Sequence, residues 1–330
     1  MFRKLLLPIL LILALALSAC NSGTTTPAGT AAPGEAPPAA VSNEAPLATP
    51  TPSIVLSDGL DRTVMLSEPA KRIVSLAPSN TEILFAIGAG SQVVGRDDFS
   101  DYPEEAKSVQ SIGSTYGDLN TEAVVALKPD LVLAAGITTP EQVKTLEDLG
   151  LTVYLLGNPP DYPGLYDNIS IVGQLTGREK EASALNDTLV ARVNAVTGKL
   201  VGSGQRPKVF YEVDGSDPAK PWTTGPGTFI ATMMALAGGN NVGSVFTDPY
   251  AQISSEELIK QNPEVIILGD TAFGVTIESI GQRPGWAQIA AVQSRRVYAF
   301  DDNLASRPGP RLVDGLEQMA KILNPTITFP

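Results

Sequence analysis

Short apolar runs recur along the chain with polar, helix-like stretches between them. The first series is RIVSL (72–76), DLVLAAG (130–136) and LTVYLL (151–156); the second is KVFYEV (208–213), EVIILG (264–269) and RVYAF (296–300). Runs of this length, rich in Val, Ile and Leu, read as strands buried on both faces. Strands alternating with helices predict parallel sheet in an α/β fold. Ahead of them, SIVLSDGLDRTVML (53–66) places Asp58-Gly59 between two alternating apolar runs, which predicts a hairpin. After RIVSL comes Ala77-Pro78-Ser79-Asn80-Thr81, with Ser79 three residues before Glu82, the spacing of a capping box. That turn lies at the carboxyl end of a strand, where α/β folds bind ligands, yet it has no glycine-rich phosphate cradle. Its hydroxyl, amide and backbone N–H groups are expected to frame a broad cleft against an equivalent turn in a second lobe.

The two series repeat one another. LNTEAVVALKPDLVL (119–133) and ISSEELIKQNPEVII (253–267) align at an offset of 134, pairing Glu122 with Glu256, Pro129 with Pro263 and Asp130 with Glu264. Tyr116 and Tyr250 share that offset, and IGAGSQVVG and LAGGNNVG align at 148. The second half therefore carries extra residues in its first strand-to-helix loop, which holds Trp222, and the pattern predicts a duplicated lobe. Between the halves, Leu185, Leu189, Val193 and Val196 fall on one face of GREKEASALNDTLVARVNAVTGKLV (177–201). A helix of roughly 20 residues spans about 30 Å and would join two lobes stiffly. The expected fold is thus α/β: two Rossmann-like lobes with mainly parallel sheets, at residues 54–176 and 202–330, joined by a long rigid helix at residues 177–201.

The amino-terminal segment changes the picture of where such a body would work. Arg3 and Lys4 precede an apolar run of about 15 residues, short of the roughly 20 of a spanning helix, and Leu17-Ser18-Ala19-Cys20 follows. These are the parts of an export signal over residues 1–19. Cys20 is the one cysteine of the chain, so no disulfide can form within it. Residues 20–53, mostly Ala, Thr and Pro, cannot bury enough apolar surface to offset chain entropy and read as a disordered tether. A net charge of −12 argues against nucleic acid as a partner. The absence of histidine removes His-based triads, most zinc sites and the usual haem ligand.

Taken in order, the small residues before Cys20, the tether, DGLDRTVML, KRIVSLAPSNTEILFAIG, GRDDFSDYPEEA, LNTEAVVALKPDLVL and SRPGPRLVDGLEQMAKIL resemble the helical-backbone substrate-binding lipoproteins of ABC importers for vitamin B12 and ferric siderophores. The resemblance covers about residues 54–325. It implies diacylglycerol on Cys20, an anchor at the outer face of the cytoplasmic membrane, and a metal chelate (a corrinoid or a ferric siderophore) held between the lobes with little hinge motion. It implies no enzymatic activity, no resident cofactor and no bound metal. It also implies that one glutamate per lobe, here Glu122 and Glu256, docks on an ABC permease dimer with its ATPase. The repeat supports this separately, since a two-fold partner presents the same patch twice. Both glutamates would also suit a helix's first turn for its dipole alone.

Phe99, Tyr116, Trp222 and Tyr250 align with aromatics that line the ligand face of the B12-binding members, while a further tryptophan of that group falls near Ala135. Flat aromatics bury much area at small entropy cost. Arg307 is expected to meet an anionic ligand group. Arg96 and Asp97 are weaker candidates, and Tyr102, Arg311 and Trp286 are expected to be structural. The enzymatic rival is a glycosidase working through Glu122 and Glu256, which would need them about 5–10 Å apart across a sugar bond. A chelate scavenger or sensor without a transporter is a further alternative.

Overall fold

The computed structural model describes residues 53–329 apart from 203 and 205. The leader, Cys20 and all but the last residue of the tether lie outside the described residues.

Strands β1 (Ile54–Ser57) and β2 (Thr63–Leu66) form the expected antiparallel hairpin. Its turn is longer than an Asp-Gly pair. The Asp58 carboxylate accepts the N–H groups of Leu60 and Arg62 and pairs with the Arg62 guanidinium.

The first half builds a parallel sheet from β3 (Ile73–Ser75), β4 (Val93–Arg96), β5 (Leu131–Ala135) and β6 (Val153–Leu156), in the order β4-β3-β5-β6. Every residue of β3, β5 and β6 is buried, which is why these runs are apolar without alternation. Helices α1 (Pro78–Ala86), α2 (Thr121–Ala126), α3 (Pro140–Asp148) and α4 (Tyr162–Thr176) accompany it. After Gly177 closes α4 in the left-handed conformation, α5 (Glu179–Leu200) runs for 22 residues, about 33 Å.

The second half repeats the plan. Strands β7 (Lys208–Asp214), β8 (Trp222–Thr224), β9 (Asn240–Asn241), β10 (Tyr250–Gln252), β11 (Val265–Leu268) and β12 (Val297–Ala299) make one sheet. Within it, β9, β7, β11 and β12 are parallel in the same order as the first sheet. Ile73 pairs with Val93 and Leu131, just as Val209 pairs with Asn241 and Val265. The insertion carries β8, which pairs antiparallel with both β10 and β7, so this sheet is mixed. Helices α6 (Phe229–Leu236), α7 (Ser255–Gln261), α8 (Ile277–Ile280), α9 (Ala290–Gln293), α10 (Asn303–Ser306) and α11 (Leu312–Leu323) complete it. Trp286 is fully buried against Phe210 and donates its indole N–H to Ser255, a packing residue as expected.

The lobes are not two cores on a strut. One apolar cluster runs from Ile73, Leu84 and Ile169 through Leu189 and Val196 of α5 to Tyr211, Met233 and Leu316. Leu185 and Val193, the rest of the expected face, pack partly buried against it. Burying each such side chain is worth about 1.5–3 kcal/mol. Tyr162 at the start of α4 adds a contact between halves, stacking tilted on Phe229 at 4.7 Å and donating its hydroxyl to the Leu312 carbonyl.

The capping box expected at Ser79 does not form. Ala77 is the N-cap, with no side-chain hydrogen bond, because Pro78 occupies the first turn and pre-sets its backbone. Glu82 is thereby free to point elsewhere. It is buried, and the Arg311 guanidinium from the other half donates to it twice, at 3.0 and 2.6 Å. The same guanidinium lies 4.0 Å over the Tyr102 ring. Burial raises the Glu82 pKa, and the Arg311 hydrogen bonds and charge only partly oppose it.

Arg311→Leu strands a buried carboxylate and should lower the unfolding free energy by about 3–5 kcal/mol. Adding Glu82→Leu should recover most of that loss in urea titrations. In the single variant the Glu82 pKa is raised further in the folded state, so the folded chain binds the proton more tightly. Its stability deficit should therefore shrink as pH falls from 7 towards 5; a deficit independent of pH, or unrelieved by the second substitution, would refute the pairing argument.

Candidate functional site

The carboxyl ends of both sets of parallel strands face one cleft of about 590 Å³. One wall is the turn after β3 (Ala77, Pro78, Ser79), Phe99 after β4, Tyr116, the segment Ala135-Gly136-Ile137 ending β5, and Asn158 after β6. The other is Tyr250 of β10, Phe273 after β11, and Asp302, Asn303, Ser306, Arg307 and Pro308 after β12. This is where α/β sheets bind ligands.

Phe99, Tyr116, Tyr250 and Arg307 thus come together in one cleft. Phe99 and Tyr116 meet edge to face at 5.2 Å and 87°, and both remain exposed. Asp97 holds the Phe99 loop: buried, it accepts the Phe99 N–H and the Ser100 hydroxyl. Burial raises its pKa against those hydrogen bonds. Arg96 spends its guanidinium on the carbonyls of Ala106 and Asp97, so neither residue lines the cleft. Tyr250 is half exposed, and burial and then the Asp302 charge raise its phenol pKa. Asp302 accepts the hydroxyl of the buried Tyr211 at 2.9 Å.

Trp222 does not line this cleft. It pairs with Gln252 while Tyr250 pairs with Thr224, so the two aromatics stand diagonally on the β8–β10 ribbon. Arg307 is less free than its sequence position suggests. One terminal nitrogen donates to Asp101 of the other lobe at 2.5 Å, leaving part of the guanidinium for a ligand. Burial disfavours the Asp101 carboxylate, but the Arg307 hydrogen bond and charge outweigh it and lower the pKa.

The turn after β3 contributes less than expected. Asn80 donates to the carbonyls of Leu133 and Ala134, and Thr81 bonds to Ser75, Ala77 and Ser100, so both are consumed in holding α1 on β3 and β5. Its counterpart before α6 does not face it; the loop after β12 does. Ile137, Asn158, Phe273, Asp302, Asn303 and Ser306 were not foreseen. Ile137, Asn158, Asp302 and Asn303 lie within four residues of a parallel strand's carboxyl end, and that rule would have found them; Phe273 and Ser306 stand farther along their loops.

The two glutamates hold equivalent positions. Asn120 caps α2 by accepting the Ala123 N–H, and Ser254 caps α7 by accepting the Glu257 N–H. Glu122 and Glu256 each follow two residues later, exposed, with no hydrogen-bond or ion-pair partner among the described residues. Each cap stands four residues after a cleft tyrosine, Tyr116 or Tyr250. Neither glutamate lines the cleft, so they do not offer a ligand there the carboxylate pair that a glycosidase uses.

A model of a periplasmic binding protein family matches residues 73–304. An uncharacterized ABC transporter substrate-binding lipoprotein of Bacillus subtilis is 34% identical over 277 residues, covering 82% of this chain and 86% of the relative. The vitamin B12-binding protein of Vibrio cholerae is 30% identical over 258 residues, covering 77% and 90%. Among solved structures, the periplasmic heme-binding protein RhuT from Roseiflexus superposes with a TM-score of 0.70 at 28% identity, covering 77% of this chain and 98% of that one.

Of the two tryptophans, Trp286 is fully buried and Trp222 is 40% exposed. Trp222→Phe should blue-shift the emission and remove most of its quenching by acrylamide. A variant still quenched as the parent is would contradict this placement.

Proposed function

The chain belongs to the periplasmic binding protein family, and we propose that it is the extracytoplasmic substrate-binding lipoprotein of an ABC importer, taking a corrinoid as its cargo. One observation carries this reading: the same unit stands on both halves, a cleft tyrosine, a helix cap and then an exposed, unpaired glutamate. It gives a monomer two equivalent acidic features for a two-fold permease, and each begins beside the cargo site. Such charges set register and association rate more than affinity.

The cleft's chemistry favours a large, flat, amphipathic cargo. Phe99 and Tyr116 offer one aromatic wall and Tyr250 the other, with Trp222 beside it on the ribbon. Asn158, Asp302, Asn303 and Ser306 supply donors and acceptors at the edges, which suits a corrin rimmed by amides. Ala135 lines the cleft where the B12-binding relatives are expected to carry a tryptophan, a difference that counts against a corrinoid. Arg307 retains a donor for an anionic group such as a nucleotide-loop phosphate. The lipid on Cys20 and the tether would hold this body at the outer face of the cytoplasmic membrane.

The test is tryptophan quenching of the purified chain by cyanocobalamin, dicyanocobinamide, hemin and a ferric hydroxamate siderophore. We expect the corrinoids to quench Trp222 and the others not to. Tyr250→Ala should weaken cyanocobalamin binding by about 2 kcal/mol or more, as aromatic anchors do, and Trp222→Ala, beside the lining, by less. Saturable binding of hemin or the siderophore, with none of cyanocobalamin, would replace the cargo named here.

Docking is tested separately. Glu122→Ala with Glu256→Ala should abolish uptake of labelled cyanocobalamin in cells while leaving its affinity for the purified protein unchanged. Lost affinity would move the glutamates into the ligand site; normal uptake would remove their docking role.

A further inference from the structure

Two apolar side chains at the mouth of the cleft have no task within the fold. Phe273 is 88% exposed and Ile137 is 46% exposed, and both line the cleft, one from each lobe. Their loops are counterparts. Ile137 follows β5 and Phe273 follows β11, strands that begin at Leu131 and Val265, 134 positions apart and paired alike with β3 and β7. We propose that Phe273 and Ile137 form a pair of lips that close over the exposed edge of the bound cargo and set its residence time. This rests on the reading of the cleft as a binding site for a large flat ligand.

Three observations carry the proposal. The cleft volume, about 590 Å³, is that of a site for a drug-sized molecule, and a corrinoid with its nucleotide loop is larger. Such a cargo must stand proud of the walls, where these two side chains are. Nearly all of the Phe273 ring faces water in the free protein, so a ligand face laid against it gains apolar contact that the fold does not already use. The Phe273 ring is also placed to turn about its own side-chain bonds. Phe273 ends a single 3₁₀ turn whose N-cap, Asp270, accepts none of the turn's N–H groups through its side chain, and Gly274 follows with φ +97°, a conformation that suits glycine. The anchor of the turn is fixed, since Asp270 is buried, accepts the Gly215 N–H at 2.7 Å and offers its carbonyl to the Phe273 N–H. The exposed ring can thus change rotamer on a held turn without disturbing the strand beneath.

A lip acts on departure more than on arrival. In stopped-flow fluorescence of the intact protein with cyanocobalamin, Phe273→Ala should raise the dissociation rate about tenfold with the association rate within twofold of the parent. Ile137→Ala should raise it less, and Phe273→Leu should restore most of the parent value. The effect should be smaller for dicyanocobinamide, which lacks the nucleotide loop. An unchanged dissociation rate in Phe273→Ala, with Tyr250→Ala still losing affinity, would overturn the lips and leave the binding reading standing. A parent protein that does not bind cyanocobalamin would overturn that reading and the lips with it. Unchanged binding with reduced cellular uptake in Phe273→Ala would also overturn the lips, assigning the ring to the permease contact.

Discussion

Glu82 and Arg311 are 229 positions apart, yet the first is buried in α1 of one half and the second reaches it from the start of α11 in the other. Taking both charges out of water costs several kcal/mol per ion, and only close, bidentate geometry offsets that. What such a pair adds over an apolar contact is direction, because two parallel N–H···O bonds fix a plane as well as a distance. The segment that delivers it is stiff. Pro308 and Pro310 flank Gly309, and a Cβ on Gly309 would lie 3.1 Å from the Glu82 carboxylate and 3.3 Å from its Cβ. Any larger residue there would have to displace Glu82 by a few tenths of an ångström. Arg307, at the other end of the same loop, pairs with Asp101. One five-residue segment therefore pins the second lobe onto the first at two points, beside the continuous core through α5.

That rigidity bears on how the cleft works. Its two walls are held at a fixed separation by interactions present before any ligand arrives, so binding need not spend interaction energy on ordering the lobes. The Phe99–Tyr116 pair is preset by Asp97, which fixes the loop from behind. Motion is left to small parts of the rim. Arg307 is the one wall residue that is both interlobe tie and candidate cargo contact. A ligand anion that draws its guanidinium would compete with Asp101 and so sense the same boundary that Arg311 holds shut.

The sequence carried the fold well where the physics is local. The buried parallel strands show as unbroken apolar runs, and the 134-residue offset fell on the true register, since Leu131 and Val265 begin equivalent strands. The ribbon of β8 and β10 was not legible beyond an excess of residues, because three-residue strands pairing across an insertion leave too little pattern. Ser79 illustrates a different failure. Its spacing to Glu82 matched a capping box, but the fate of Glu82 was decided by an arginine 229 positions away, which no local rule contains. The cleft shows the same division. Aromatics could be picked out by type, whereas Ile137, Asn158 and Phe273 belong to it only because sheet topology brings their loops to one place. Trp222, selected by the same reasoning as Tyr250, stands one diagonal away from the lining.

The duplication gives the layout a further consistency. In each half the segment leading to α2 or α7 runs from the cleft outward, tyrosine first, then the capping residue, then the glutamate. Side-chain caps at Asn120 and Ser254 fix where each helix begins, and so place each glutamate in the first helical turn. Both glutamates stand in the first turn of their helices, at the end where the dipole suits a negative charge. They are exposed and uncommitted, which is what an electrostatic contact with a separate protein requires and what a buried structural carboxylate such as Glu82 cannot provide. The two kinds of carboxylate thus divide the work, one closing the molecule on itself and the other left open to the outside.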